Sequence, residues 1–192
     1  SPYAKSKVNI ENFLIKKKLK KIEKKIFILR FATAFGFSER MRFDLTVNEF
    51  IKTIMQKKKL LIYDENTWRP YCHVYDFARL IYTISKSIKK NRFEIFNVGE
   101  NKNNATKLTI LQKILKQLPY KNIEFKKIGK DKRNYIVNFD KVKKMYNFRC
   151  STNIDKGIEE IITNINKNKK FYLNEKNKFK FDKFLIKKNK LR

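Results

Sequence analysis

The sequence predicts a domain of the α/β or α+β class, on three observations. Short apolar runs of the kind that form buried strands alternate with segments whose apolar residues recur at helical spacing. A composition that is 42% hydrophobic and 14% aromatic can supply a core despite a formal charge of +30. The length, 192 residues, suits one domain with room for an extension.

Near the N-terminus, Val8, Ile10, Phe13, Leu14, Leu19 and Ile22, interrupted by lysines, predict an amphipathic helix from Tyr3 to about Lys25. Ile26–Leu29 is a short continuous apolar run and predicts a buried strand. A loop from Thr33 to Arg40 contains Gly36. A helix is expected over Phe43–Met55, a strand over Leu60–Tyr63, and a helix over Asp76–Ile88 with Asp76 as its N-cap. Phe93–Val98 predicts a strand stopping at Gly99, Leu108–Leu118 a helix ending before Pro119, and Ile123–Ile128 another strand. Helices over Asp140–Tyr146 and Ile154 to about Ile165 complete the domain, 1–165. Residues 166–192 read as a Lys/Asn-rich tail: either a solvated extension or a docking segment that uses Phe171, Phe179, Phe181, Phe184 and Leu185.

Several function classes are excluded. The four glycines, Gly36, Gly99, Gly129 and Gly157, are too scattered for a phosphate-cradling loop. No apolar run is long enough for a membrane span, and no secretory leader is visible, so the expected location is cytoplasmic. Cys72 and Cys150 lack CxxC spacing and predict two reduced structural thiols, and with His73 the single histidine no metal centre is expected. The charge invites a nucleic-acid reading. It is concentrated in 166–192, where eleven basic residues face two acidic ones, and is diffuse elsewhere. Of the basic residues 39 are Lys, and Lys, Asn, Ile and Phe share codons built wholly of A and T. Base-composition drift is therefore the simpler account, and no motif for specific nucleic-acid readout is present.

The informative chemistry is at the start, Ser1-Pro2-Tyr3-Ala4-Lys5-Ser6-Lys7. Tyr3 and Lys7 are four apart and share one helix face. An ammonium beside a phenol favours the phenolate and suits the pair to proton exchange with a sugar hydroxyl. The YxxxK spacing is common by chance in a Lys-rich chain, so its weight comes from four further blocks in the same chain.

Those blocks are Leu29-Arg30-Phe31-Ala32-Thr33-Ala34-Phe35-Gly36, then Trp68-Arg69-Pro70-Tyr71-Cys72-His73-Val74-Tyr75-Asp76-Phe77-Ala78-Arg79, then Phe96-Asn97-Val98-Gly99, then Asp131-Lys132-Arg133-Asn134-Tyr135. In this order, over Ser1 to Ile165, the chain resembles the extended short-chain dehydrogenases/reductases, and more narrowly the NAD-dependent epimerases and dehydratases that modify nucleotide sugars. The resemblance covers the second half of the family's chain. It implies the C-terminal part of a Rossmann-type parallel sheet plus a small α/β substrate-binding domain. It also implies that the glycine-rich dinucleotide unit, with the Ser/Thr of the catalytic trio, lies before Ser1: the chain is then a fragment or one product of a split gene.

By position, Tyr3 matches the catalytic Tyr and Lys7 the Lys that lowers its pKa and bonds the nicotinamide ribose. Ala34, Phe35 and Gly36 match the segment against the nicotinamide of NAD or NADP. Thr33, where many relatives have Asn, and Asn48, Arg69, Asn97 and Arg133 match substrate contacts, with the two arginines on the diphosphate. Plainer roles stand beside these: Arg69 as a surface residue stacked on Trp68, Arg133 as part of a basic loop, Asn97 as a turn former, His73 as a histidine bonded to nearby backbone. The implied partners are a nucleotide-diphosphate sugar, the absent N-terminal half and a second copy of the whole enzyme. Epimerisation, dehydration and reduction of the keto sugar are all open outcomes. The rivals are a catalytically inactive remnant and a basic module that binds nucleic acid or an anionic surface.

Overall fold

The computed structural model describes residues 2–18, 25–87, 93–129 and 134–174. In chain order the elements are α1 (Pro2–Lys18), β1 (Ile26–Phe31), β2 (Thr33–Phe35), α2 (Thr46–Met55), β3 (Leu60–Tyr63), β4 (Trp68–His73), α3 (Val74–Lys86) and β5 (Phe93–Val98). A 3-10 turn at Asn101–Asn103 leads to β6 (Asn104–Thr106), α4 (Lys107–Gln117), β7 (Ile123–Lys126), α5 (Asp140–Tyr146), α6 (Ile154–Lys167) and α7 (Lys169–Tyr172). The chain forms two compact units, the first from 1–34, 68–105 and 133–153, the second from 35–67, 106–132 and 154–192.

In the first unit β1 and β5 pair in parallel, in register from Ile26 opposite Phe93 to Phe31 opposite Val98. Ala32 N–H donating to the Val98 carbonyl at 3.0 Å extends the ladder by one step. The Ile26 run predicts a buried strand, but β1 is only half-buried and pairs with β5 alone among the described residues. Its apolar side chains are those of a central strand and its position is that of an edge. β4 lies between β2 and β6 in a second sheet. The core joins Cys72, Leu80, Ile84, Phe96, Val98, Phe139, Val142, Phe148 and Cys150.

Gly99 has a packing reason to be glycine. A Cβ there would lie 2.7 Å from Phe139 Cζ and 3.3 Å from Ala32 Cβ, and the Phe139 ring is itself buried. Gly99→Ala is expected to cost about 1–3 kcal/mol through overpacking, read as a lower midpoint in chemical denaturation.

The second unit pairs β3 with β7 in parallel, Leu60 opposite Ile123 through Tyr63 opposite Lys126. β3 alternates buried and exposed residues, so Leu60 and Ile62 face inward. Helices α2, α4 and α6 pack against one another. Ile158, Ile161 and Ile165 on α6 are fully buried, as are Ile110 and Ile114 on α4, the i, i+3, i+4 and i+7 pattern of one helical face. Thr106 caps α4 by accepting from Thr109 N–H at 3.0 Å, and Lys113 on α4 is paired with Asp155 on α6 at 2.6 Å.

Other differences from expectation have local causes. The first helix is described as far as Lys18, and Leu19 and Ile22 lie outside the described residues. Val8 sits across the helix from Ile10, Phe13 and Leu14, so no single apolar stripe forms, and Val8, Ile10 and Phe13 are exposed. The break expected at Asn166 falls inside α6, and the helical structure continues into α7. Tyr172 meets Phe37 edge-on at 5.5 Å, and Gln56 Nε2 donates to the Leu173 carbonyl at 2.5 Å. Phe179, Phe181, Phe184 and Leu185 lie outside the described residues.

Candidate functional site

α1 carries Tyr3 and Lys7 on one exposed face. Tyr3 is 72% exposed, and Lys7 Nζ lies 5.5 Å from the centroid of its ring. Ser6 Oγ donates to the Tyr3 carbonyl at 2.8 Å. α1 is tied to β1 by Glu11 and Arg30: Arg30 Nε donates to Glu11 Oε2 at 3.0 Å and Nη2 to Oε1, the two-pronged geometry in which Arg is strongest.

That guanidinium, through its hydrogen bonds first, holds the Glu11 carboxyl below its ordinary value of 4.5, against a smaller opposing effect of burial. A carboxyl lowered in the folded state contributes stability that is present above its ordinary value and is lost as pH falls through the folded one. Glu11→Gln is therefore expected to speed amide exchange in α1 at neutral pH, by an amount corresponding to about 0.5 kcal/mol. As pH falls through the lowered folded-state value and Glu11 itself protonates, the difference between variant and wild type should shrink.

Arg69, on β4, is buried, and its guanidinium lies over the Tyr135 ring at 5.4 Å while Nη1 donates to the Trp68 carbonyl at 3.2 Å. The surface stacking on Trp68 considered from sequence is thus replaced by a buried arginine on Tyr135, whose ring can hold a cation by its face. Arg133 lies outside the described residues. Residues 134–139 are described; they have no regular secondary structure and are held by the backbone bond from Tyr135 N–H to the Trp68 carbonyl at 3.4 Å and by asparagine side chains. Asn134 Oδ1 accepts from Trp68 N–H at 2.9 Å. Asn104 accepts from Val137 N–H and donates to the Val137 carbonyl, both at 3.0 Å. Asn101 Oδ1 accepts from Phe139 N–H at 2.9 Å. These contacts fix Tyr135 beneath Arg69. The signal available in the sequence was the density of asparagines around 97–104 and 134–138, each able to imitate a peptide group.

Asn97 is the penultimate residue of β5 and lies within the strand, not in a turn: its Nδ2 donates to the Asn138 carbonyl at 3.2 Å, one more tie to the same stretch. Asn48, on α2, is 3% exposed; Nδ2 donates to the Arg42 carbonyl at 3.1 Å and Oδ1 has no hydrogen-bond partner among the described residues. Thr33 and Ala34 are half-buried in β2, Phe35 is fully buried, and Gly36 has φ of +118°, a backbone that side chains other than hydrogen rarely accept.

The capping arrangement at α3 corrects the expectation for Asp76. His73 is the N-cap, with Nδ1 accepting from Tyr75 N–H at 3.2 Å, the backbone role foreseen for it. Asp76 sits within the first turn, where its negative charge meets the helix N-terminus, and it is completely buried. Its Oδ1 accepts from Ser151 N–H at 2.9 Å, Ser151 Oγ at 2.9 Å and Arg79 Nη1 at 2.6 Å; Oδ2 accepts from Thr152 N–H at 3.2 Å. Completely buried and held by four donors, this carboxylate is a structural tie.

Residues 1–99 match the sequence model of the NAD dependent epimerase/dehydratase family. Solved structures share the fold. UDP-glucuronic acid 4-epimerase from Bacillus cereus, in complex with UDP-glucuronic acid and NAD, is 24% identical with a TM-score of 0.74, over 87% of this chain and 53% of its own. UDP-glucose 4-epimerase from Thermus thermophilus, in complex with NAD, is 19% identical with a TM-score of 0.74, over 88% and 55%. dTDP-glucose 4,6-dehydratase from Bacillus anthracis, in complex with NAD, is 23% identical with a TM-score of 0.64, over 76% and 46%. The chain spans about half the length of these structures. Among the described residues no helix is long and apolar enough to cross a membrane.

Proposed function

Because this chain belongs to the NAD-dependent epimerase/dehydratase family, we propose that it is the substrate-binding half of an enzyme acting on a nucleotide-diphosphate sugar. The observation that carries the proposal is the Tyr3/Lys7 pair, a phenol and an ammonium on one exposed helical face. That donor set fits a ribose and a sugar hydroxyl, and Gly36, with its positive φ, leaves no Cβ at the turn proposed to lie against a nicotinamide. Bound NAD supplies the acceptor and donor of hydride. The chain's own part is to move a proton and hold the substrate.

Tyr3 Oη exchanges the proton of the hydroxyl on the sugar carbon that is oxidised and reduced, a general acid/base role. Lys7 orients the cofactor ribose through its ammonium. Ala34, Phe35 and Gly36 bring backbone to the nicotinamide. Arg69, already stacked on Tyr135, and Arg133 take the diphosphate, for which the planar guanidinium is suited. Thr33, Asn48 and Asn97 complete the sugar contacts, and Asn48 Oδ1, buried with no hydrogen-bond partner among the described residues, is an acceptor in need of a donor. The epimerase and dehydratase chemistry named for the solved relatives supports the reaction class and leaves the second step open.

The test is reassembly. Co-expressed with a cognate half that carries a glycine-rich dinucleotide loop, the chain is expected to retain NAD and turn over a UDP- or dTDP-sugar. A stoichiometric complex that holds NAD yet converts no nucleotide sugar would sink the proposal.

A further inference from the structure

Cys72 is the penultimate residue of β4 and Cys150 lies just beyond α5, 78 positions later, yet their sulfurs are 3.6 Å apart. Both thiols are free. Cys72 is fully buried and Cys150 is 9% exposed, in a cluster whose other members are apolar. The backbone on either side is anchored: Cys150 N–H donates to Glu100 Oε2 at 3.1 Å, and Asp76 holds Ser151 and Thr152. Among the described residues no third ligand joins the two sulfurs in a metal cluster. A disulfide places its sulfurs about 2 Å apart, so closure needs a shift of about 1.6 Å, within reach of side-chain rotation.

We propose that Cys72 and Cys150 form an oxidisable dithiol, a modification site at which a small peroxide installs a disulfide between β4 and the segment after α5. Cys150, the sulfur with residual exposure, attacks the peroxide. An S–O bond forms, the O–O bond breaks, and the departing hydroxide leaves as water with the Cys150 proton. The Cys72 sulfur then displaces the remaining hydroxide: the S–S bond forms, the S–O bond breaks, and the Cys72 proton departs in the second water. Two thiols are oxidised and one peroxide is reduced to two waters. The contact with the Cys150 sulfur and then burial push the Cys72 thiol up, which suits Cys72 to the second, resolving role over the first. This chemistry is independent of the sugar-nucleotide reading.

The full-length chain, treated with hydrogen peroxide and then denatured and alkylated, is expected to lose the mass of two hydrogens and take up no alkylating reagent. It should yield one cross-linked peptide pair joining Cys72 to Cys150, and dithiothreitol should restore both thiols. The oxidised chain should melt at a higher temperature than the reduced one, because the bridge restricts the unfolded chain. Cys72→Ser should leave a Cys150 sulfenic acid that dimedone traps. Two alkylatable thiols after peroxide treatment, disulfides only between chains, or oxygen gained without a cross-link would each overturn the proposal. Should the variant fail to fold, the wild-type mass and peptide map decide alone.

Discussion

Tyr3→Phe, made in the reassembled enzyme, is expected to lower kcat by about 10²–10⁴-fold, the range for losing a positioned acid/base, with little change in nucleotide-sugar affinity. The substitution removes one oxygen and keeps the ring. Because Tyr3 is largely exposed on α1, circular dichroism and the denaturation midpoint should not move, which separates a chemical loss from a folding one. Lys7→Met should lower turnover and also weaken NAD retention, since the ammonium is proposed to hold the ribose. Undiminished kcat in Tyr3→Phe would remove Tyr3 from the chemistry and leave the family membership untouched.

Asp76→Ala is expected to have the largest effect on stability, about 3–5 kcal/mol, as for other buried charges that lose their partners. Truncation leaves Ser151 N–H and Thr152 N–H without their acceptor and the Arg79 guanidinium without its buried partner. An unmade hydrogen bond to a buried donor costs the full desolvation of that group. Against a total stability of about 5–15 kcal/mol, the first unit would be largely unfolded at mild denaturant concentrations. Asp76→Asn should fall between: one oxygen can still accept from Ser151, while the amide nitrogen would face another donor at Thr152. A midpoint equal to wild type in Asp76→Ala would show the contacts to be dispensable.

Local features were legible and long-range ones were not. β3, β5 and α5 occupy the spans read from alternation and apolar runs, because those signals are carried by neighbours in sequence. The three-residue strands β2 and β6 have too few residues to show a period. Asp76 was expected to cap because Asp is among the best N-cap residues. It does not, because its carboxylate is already taken by Ser151 and Thr152, which no local window contains. The same holds for Arg69: its sequence neighbour Trp68 offered an aromatic face, and the ring that takes it is Tyr135. In the candidate site, the Tyr3/Lys7 proximity was readable because helix geometry alone creates it. The asparagine ties to residues 134–139 required the folded chain. Cys72 and Cys150 were read as two separate structural thiols, since spacing along the chain cannot show that β4 and the segment after α5 meet.

The alternation of the two units along the chain has a genetic consequence. Every segment of the first unit lies before position 154, whereas the second unit still needs α6, whose Ile158, Ile161 and Ile165 fill its interior. A premature stop codon just after Asn153 would therefore spare one unit and deprive the other of a helix its core depends on. Conversely, no single cut yields both units intact, so a family of nested truncations should show two distinct thresholds of protease resistance, one for each.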